Sequence, residues 1–354
     1  MITFFAGVPG GGTSGWCRRE KELTPMWHSR LWTYFWMTKD KGIMEKPKTV
    51  NLFLDSGAYS ALTQQTTIDI KDYIAFIKEH KKYIDLYANL DVIAEANNDP
   101  LKAKADAAQA TLKNQKIMEK AGLNPLPVFH YGEPFDYLEK YLAKYPYIAI
   151  GGLVGVPTGL ICPWLDVVFS KYICDSKGMP KVKVHGFGMT SLVLMLRYPW
   201  YSVDSTSWVV TGRMGSIYVP RFSNGKWIYD VNSHKIAVST KNPNVTQSGK
   251  HISTLSPAQR KVVVDYVESK GYKIGKSSFH YELEGYELKP NERWAEKKEE
   301  MTNGERLVEV IEEEGVSNRY QLRDELNIIY FNDLEKTMPQ WPWKFKVTHS
   351  PKLF

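Results

Sequence analysis

Asn51-Leu52-Phe53-Leu54-Asp55-Ser56-Gly57-Ala58-Tyr59 carries the fold in miniature. An apolar run of the kind that a strand buried on both faces requires ends on a carboxylate, and small residues and an aromatic ring follow where strand gives way to loop. The same order returns in Val128-Phe129-His130-Tyr131-Gly132, Ala149-Ile150-Gly151-Gly152-Leu153, Val184-His185-Gly186-Phe187-Gly188 and Tyr201-Ser202-Val203-Asp204-Ser205. In a parallel α/β protein the carboxyl ends of the strands form the rim where chemistry sits, so one pocket lined by all five is the expectation.

Outward from this stretch, strands are predicted over residues 2–6, 51–54, 83–92, 126–131, 147–150, 181–185 and 201–203. Helices alternate with them. Ile70, Tyr73, Ile74 and Ile77 fall at helical spacing, an Ala- and Lys-rich helix ends at Gly122 and Pro125, Pro134 opens another, and Leu160, Trp164, Leu165, Val168 and Phe169 mark the next. Polar strand ends spread over so many successive units favour a (β/α)8 TIM-type barrel over an open flavodoxin-like sheet. No eighth strand is assigned. Trp27, Leu31, Tyr34, Phe35 and Met37 predict a packed helix over residues 26–38, and Pro9-Gly10-Gly11-Gly12-Thr13-Ser14-Gly15 is a flexible connection lacking the Lys-Ser/Thr ending of a P-loop.

Beyond Asp204 the pattern changes. Residues 216–222, 226–229 and 235–239, separated by Asn224-Gly225 and Asn232-Ser233, predict antiparallel hairpins. From Ser256-Pro257 onward the chain reads as helical and charged; Thr302–Glu314 and Asn318–Leu326 predict two helices about Gly315-Val316-Ser317, a spacing that a helix-turn-helix shares. The expected division is a barrel over 1–240 and a basic helical region over 241–354 that completes it and contacts nucleic acid.

With 354 residues and 43% hydrophobic content, the chain can bury a full core and is not disordered. A net charge of +7 suits a polyanionic partner without requiring one, and the 13% of aromatic residues serve base stacking and core packing equally well. Cys17, Cys162 and Cys174 are too few and too scattered for a disulfide framework or a cysteine-based zinc site. The residues at the N-terminus lack the features of a signal peptide, and no stretch approaches the ~18 apolar residues of a membrane span. The reading is a cytoplasmic protein with no membrane partner, no metal and no cofactor.

Asp55-Ser56-Gly57-Ala58-Tyr59, Gly151-Gly152-Leu153, His185-Gly186-Phe187-Gly188 and the Asp204 region, in this order, resemble the tRNA-guanine transglycosylase superfamily. The likeness is greatest to its phage DNA-guanine transglycosylase branch, which inserts 7-deazaguanine bases into DNA, and it spans about residues 50 to 225. It implies a glycosyltransferase in which Asp204 is the nucleophile at C1′ and Asp55 the general acid/base. It further implies that Asp91 recognises the base edge, that Tyr59 stacks on one face, and that the backbone of Gly151 and Gly152 binds the base carbonyl. His185, beside Gly186, stands where the family has a methionine over the other face, and His130 or Tyr131 where it has a glutamine. Arg213, with Gly215, keeps the family's Arg-x-Gly spacing after the nucleophile and is the expected phosphate contact.

The chain departs from the tRNA enzymes in having no cysteine over residues 230–300, where they carry a zinc cluster; His234, His251 and His280 lack its spacing. Expected partners are therefore DNA, with the target guanine flipped or single-stranded, and a free 7-deazaguanine base. Exchange on tRNA or another RNA, a base-releasing glycosidase and a non-catalytic nucleic-acid-binding barrel are the alternatives.

Overall fold

The computed structural model describes residues 1–9, 14–94, 98–189, 191–229, 233–241 and 249–345. Residues 10–13 of the glycine-rich connection and Asn232 of the second expected turn lie outside them. The chain divides into two compact units, residues 1–207 with 334–354, and residues 208–333.

The first unit is an α/β fold built on a curled eight-stranded parallel sheet: β1 (Ile2–Phe5), β2 (Ser29–Thr33), β3 (Asn51–Asp55), β4 (Leu86–Tyr87), β5 (Val128–His130), β6 (Tyr147–Gly151), β7 (Lys183–Gly186) and β8 (Ser202–Ser205). Their order is β4-β3-β2-β1-β8-β7-β6-β5, with β1 beside β8. Just after β4 and just before β5, an isolated parallel bridge joins Ala88 and Leu126, where Leu126 N–H donates to Tyr87 O and Asn89 N–H to Leu126 O, each at 2.9 Å. Between strands run α1 (Arg18–Leu23), α2 (Tyr34–Lys39), α3 (Ala58–Thr63), α4 (Ile70–His80), α5 (Pro100–Lys120), α6 (Phe135–Leu142), α7 (Thr158–Val167) and α8 (Leu192–Arg197).

The unassigned eighth strand is β2, within the stretch expected to be helical. Ser29–Thr33 is paired in parallel with β1 and β3, and only Tyr34–Lys39 is helix. Arg30 hid it by interrupting the apolar run. Its buried guanidinium is matched by Glu20 and by the carbonyls of Phe5 and Gly7, so a strand interior tolerates the charge.

Strand alternation decides what faces the interior. Leu52 and Leu54 point outward and pack with Tyr73 and Ile77 of α4 and Met118 of α5. Phe53 points inward with Phe4, Leu31, Val128 and Ala149. Burial of each of the Leu, Ile, Val, Phe and Met side chains among them contributes ~1.5–3 kcal/mol. One step of two residues along the same strands therefore brings Asp55, His130 and Gly151 to the interior rim.

The second unit pairs β9 (Ser216–Val219) with β12 (His234–Ala237), and β10 (Arg221–Ser223) with β11 (Lys226–Ile228) through Asn224-Gly225, both at positive φ as a tight hairpin turn requires. It also holds α10 (Pro257–Ser269), the antiparallel strands β13 (Lys276–Leu283), β14 (Glu292–Trp294) and β15 (Glu305–Glu313), and most of α9 (Ser207–Arg213) and α11 (Tyr320–Thr337), whose residues 207 and 334–337 are counted with the first unit. Ser256 and Gln259 form the capping box that opens α10.

Two expectations are corrected here. Glu305–Glu313 is the central strand of a sheet, not a helix, so no helix-turn-helix forms and the C-terminal region is not all-helical. β-Branched Val308, Val310 and Ile311 suit a strand, and buried Glu309 is satisfied by Arg293, Ser277 and Lys241. The division falls near residue 207 rather than 240, because Ile217, Val219 and Ile236 share a core with Val263, Tyr266 and Leu326. Among the described residues no helix is long and apolar enough to cross a membrane.

Candidate active site

Asp55 closes β3, and the turn after it is set by Gly57. At φ +85° Gly57 lies where side chains are strained, and a Cβ there would lie 2.5 Å from that of Phe35. Its N–H donates to Asp55 Oδ2 at 3.0 Å. The small residues of this stretch thus serve packing: Ser56, fully buried, donates its hydroxyl to Asp91 Oδ1 at 2.8 Å. Burial, reinforced by the charges of Asp91 and Asp204, lifts the Asp55 carboxyl from 3.8 to about 8, against the backbone N–H groups of Gly57 and Ser56. Three aspartates from separate strand ends therefore share one electrostatic environment.

Asp91 lies beyond β4 on a loop that α5 fastens, with Asn114 Nδ2 donating to Leu90 O and Val92 N–H to Thr111 Oγ1. Its Oδ2 is 2.9 Å from His130 Nε2, while His130 Nδ1 is 3.0 Å from Glu133 Oε1. Burial alone would push this imidazole down, but the hydrogen bonds and charges of Asp91 and Glu133 outweigh it and lift the ring to about 10. His130 is thus an imidazolium clamped between two carboxylates.

The glycines at the end of β6 and just beyond it make that clamp possible. A Cβ on Gly151 would lie 3.0 Å from His130 Cδ2, and one on Gly152, at φ +71°, 3.2 Å from His130 Cβ. Their bareness accommodates the histidine ring.

Asp204 projects inward from β8 and is 6% exposed. Its Oδ1 accepts from Gly188 N–H at 2.8 Å and faces His185 Nε2 at 3.3 Å; Oδ2 accepts no hydrogen bond among the described residues. His185, expected over a base face, is fully buried behind Asp204, edge-on to Phe53 and Phe187 at 4.8 and 4.6 Å between centroids. Gly186 faces Trp200 and Met189 on the outer side of the sheet. Burial lowers the His185 imidazole below its ordinary value, against the hydrogen bond and charge of Asp204.

Tyr59, in the first turn of α3, is 54% exposed and available for stacking. Tyr131 is half-buried, its ring edge-on to Trp164 and under Lys104 Nζ at 5.0 Å. Arg213 ends α9 in the second unit, exposed. Among the described residues no group of three His, Cys, Asp or Glu side chains is placed to hold a metal ion.

Glu133 and Ser202 were given no role in the sequence reading, and Ser56 was read there only as a small residue. Glu133 follows His130 by three residues, across a turn, and Ser202 precedes Asp204 by two, on the same strand face; both spacings were legible signals. No protein-family model matches the chain, and no curated protein matches it.

Proposed function

We propose that this chain is a DNA base-exchange enzyme of the guanine transglycosylase type, replacing guanine by a 7-deazaguanine. The observation that carries the reading is the coupling of Asp55, whose carboxyl keeps its proton to about pH 8, to Asp204, whose Oδ1 is pinned by a backbone N–H while Oδ2 stays open. A carboxyl that holds its proton, in one site with a second carboxyl that has an open oxygen, is what a retaining glycosyl transfer needs. The sheet is read as a closed (β/α)8 barrel, supported by the Ala88–Leu126 bridge, with the rim as the reaction face.

In this mechanism Asp204 Oδ2 attacks C1′ as the bond to guanine breaks, and the Asp55 proton passes to the departing base. The covalent aspartyl-glycosyl intermediate is then opened by the incoming 7-deazaguanine, whose ring N–H proton returns to Asp55 as the Asp204 carboxylate leaves. Two inversions give net retention. Asp91 accepts from the N1–H and 2-amino groups; each of its oxygens, already engaged with Ser56 or His130, keeps a second acceptor site. Tyr59 covers one base face, and Arg213 contacts a phosphate.

DNA is favoured over tRNA by the absence of a cysteine cluster, and a nucleotide held in a duplex must be flipped to reach the rim. Incubation with labelled guanine or 7-deazaguanine and either duplex DNA or tRNA should place label in DNA. Label in tRNA alone would change the polymer, and label in neither would end the transglycosylase reading.

A further inference from the structure

Behind Asp204 a line of hydrogen bonds continues into the interior of the sheet. His185 Nδ1 is 2.7 Å from Ser202 Oγ, which is 2.6 Å from Tyr147 OH. Ser202 and His185 are fully buried, and Tyr147, the first residue of β6, is half-buried at the opposite end of the strands from the rim. The bonded order Ser202–His185–Asp204 is that of a serine hydrolase triad, but a serine with no exposed surface cannot meet a substrate.

The protons in this line have one consistent arrangement. The ring of His185 is packed edge-on among Phe4, Phe53 and Phe187, so it is neutral and carries a single N–H. A carboxylate oxygen only accepts, so that N–H is on Nε2 and donates to Asp204. Nδ1 is then an acceptor, Ser202 must donate to it, and Ser202 Oγ receives its own hydrogen bond from Tyr147.

We infer that Tyr147 and Ser202 are positioning residues that lock His185 in its Nε2–H tautomer, so that Asp204 Oδ1 faces a fixed donor. In base exchange, on whose assignment this catalytic role rests, the charge that returns to Asp204 when the aspartyl bond breaks would meet a donor already in place. With the proton on Nδ1 instead, a nitrogen lone pair would face that charge.

The test starts on the wild-type protein without substrate. Nitrogen NMR of ¹⁵N-histidine-labelled protein near neutral pH should give His185, identified by the signal lost in His185→Gln, as a neutral ring protonated on Nε2. Tyr147→Phe, which keeps the ring against Tyr201, should mix the tautomers and, in the exchange assay, lower kcat about 3- to 10-fold, the scale of one net hydrogen bond, with KM for DNA unchanged. A wild-type ring protonated on Nδ1, or on both nitrogens, would overturn the inference, as would a Tyr147→Phe protein with tautomer and kcat unaltered. The expected tautomer in a wild-type protein that exchanges no base would uphold the hydrogen-bonded line and overturn the proposed function alone.

Discussion

Two buried histidines stand behind the rim carboxylates, in opposite states. His130 lies between Asp91 and Glu133 and is lifted to about 10; His185 lies between Asp204 and the Ser202 hydroxyl and is lowered. Both rings are withdrawn from water, so burial disfavours the cation in each case. What differs is the second neighbour. A second carboxylate overcomes the cost of a buried charge, whereas a hydroxyl does not. One wing of the site is therefore an ion cluster and the other a line of neutral donors, and Asp55 feels the charge of the aspartate on each.

The largest expected effect removes the open oxygen of the neutral wing. Asp204→Ala and Asp204→Asn should each lower exchange by about 10⁴-fold or more, as loss of a covalent nucleophile does, with folding retained. Trapped glycosyl-enzyme should form with the wild type and with neither variant; full exchange by Asp204→Asn would remove the nucleophilic role.

Asp55→Asn comes next, losing proton transfer worth ~10²–10⁴-fold while DNA binding persists. Because the Asp55 carboxyl sits at about 8, wild-type first-step rates should fall as pH rises through that value. The same shift affects stability. The contribution of the held proton is fully present below 3.8 and is lost as pH rises through about 8. The melting temperature of Asp55→Asn relative to wild type should therefore climb between pH 5 and pH 8. A flat difference would mean that Asp55 is ionised throughout.

A direct contrast of the two histidines is smaller but sharper. His130→Gln leaves Asp91 and Glu133 buried without their cation and should cost ~3–5 kcal/mol in urea unfolding, whereas His185→Gln exchanges one neutral group for another and should cost about one net hydrogen bond, ~0.5–1.5 kcal/mol. The His130 contribution is present in full below 6.5 and lost as pH rises through about 10, so its deficit should shrink in alkali. His185 has the opposite sign, its fold losing stability as pH falls below 6.5. Equal losses at neutral pH would abolish the distinction between the wings. A further effect, on binding and not on stability, is expected outside both. Tyr59→Ala should weaken base binding by ~1–3 kcal/mol, the value of one stacking face, and leave unfolding unchanged because the ring is 54% exposed.

By itself the sequence determined the parallel α/β frame and most of the strand ends, because alternating apolar runs and helical spacings are local properties that each segment carries with it. It also marked Asp55, His130, His185 and Asp204, since a polar residue closing an apolar run stands out in one dimension, whereas Asp91 was marked only by the family resemblance. Tertiary structure alone decided what lies between those marks. β2 is a strand because β1 and β3 pair with it on both sides, although Arg30 breaks its pattern; Glu305–Glu313 is a strand for the same reason, although its acidic spacing reads as helix. The charge of each histidine depends on a neighbour, and only for His130, through Glu133, is that neighbour close in sequence. The meaning of the glycines was likewise spatial, with Gly151 and Gly152 bare because His130 fills the space. Pairing, burial and proton position are set by contacts between distant segments, and no local pattern encodes them.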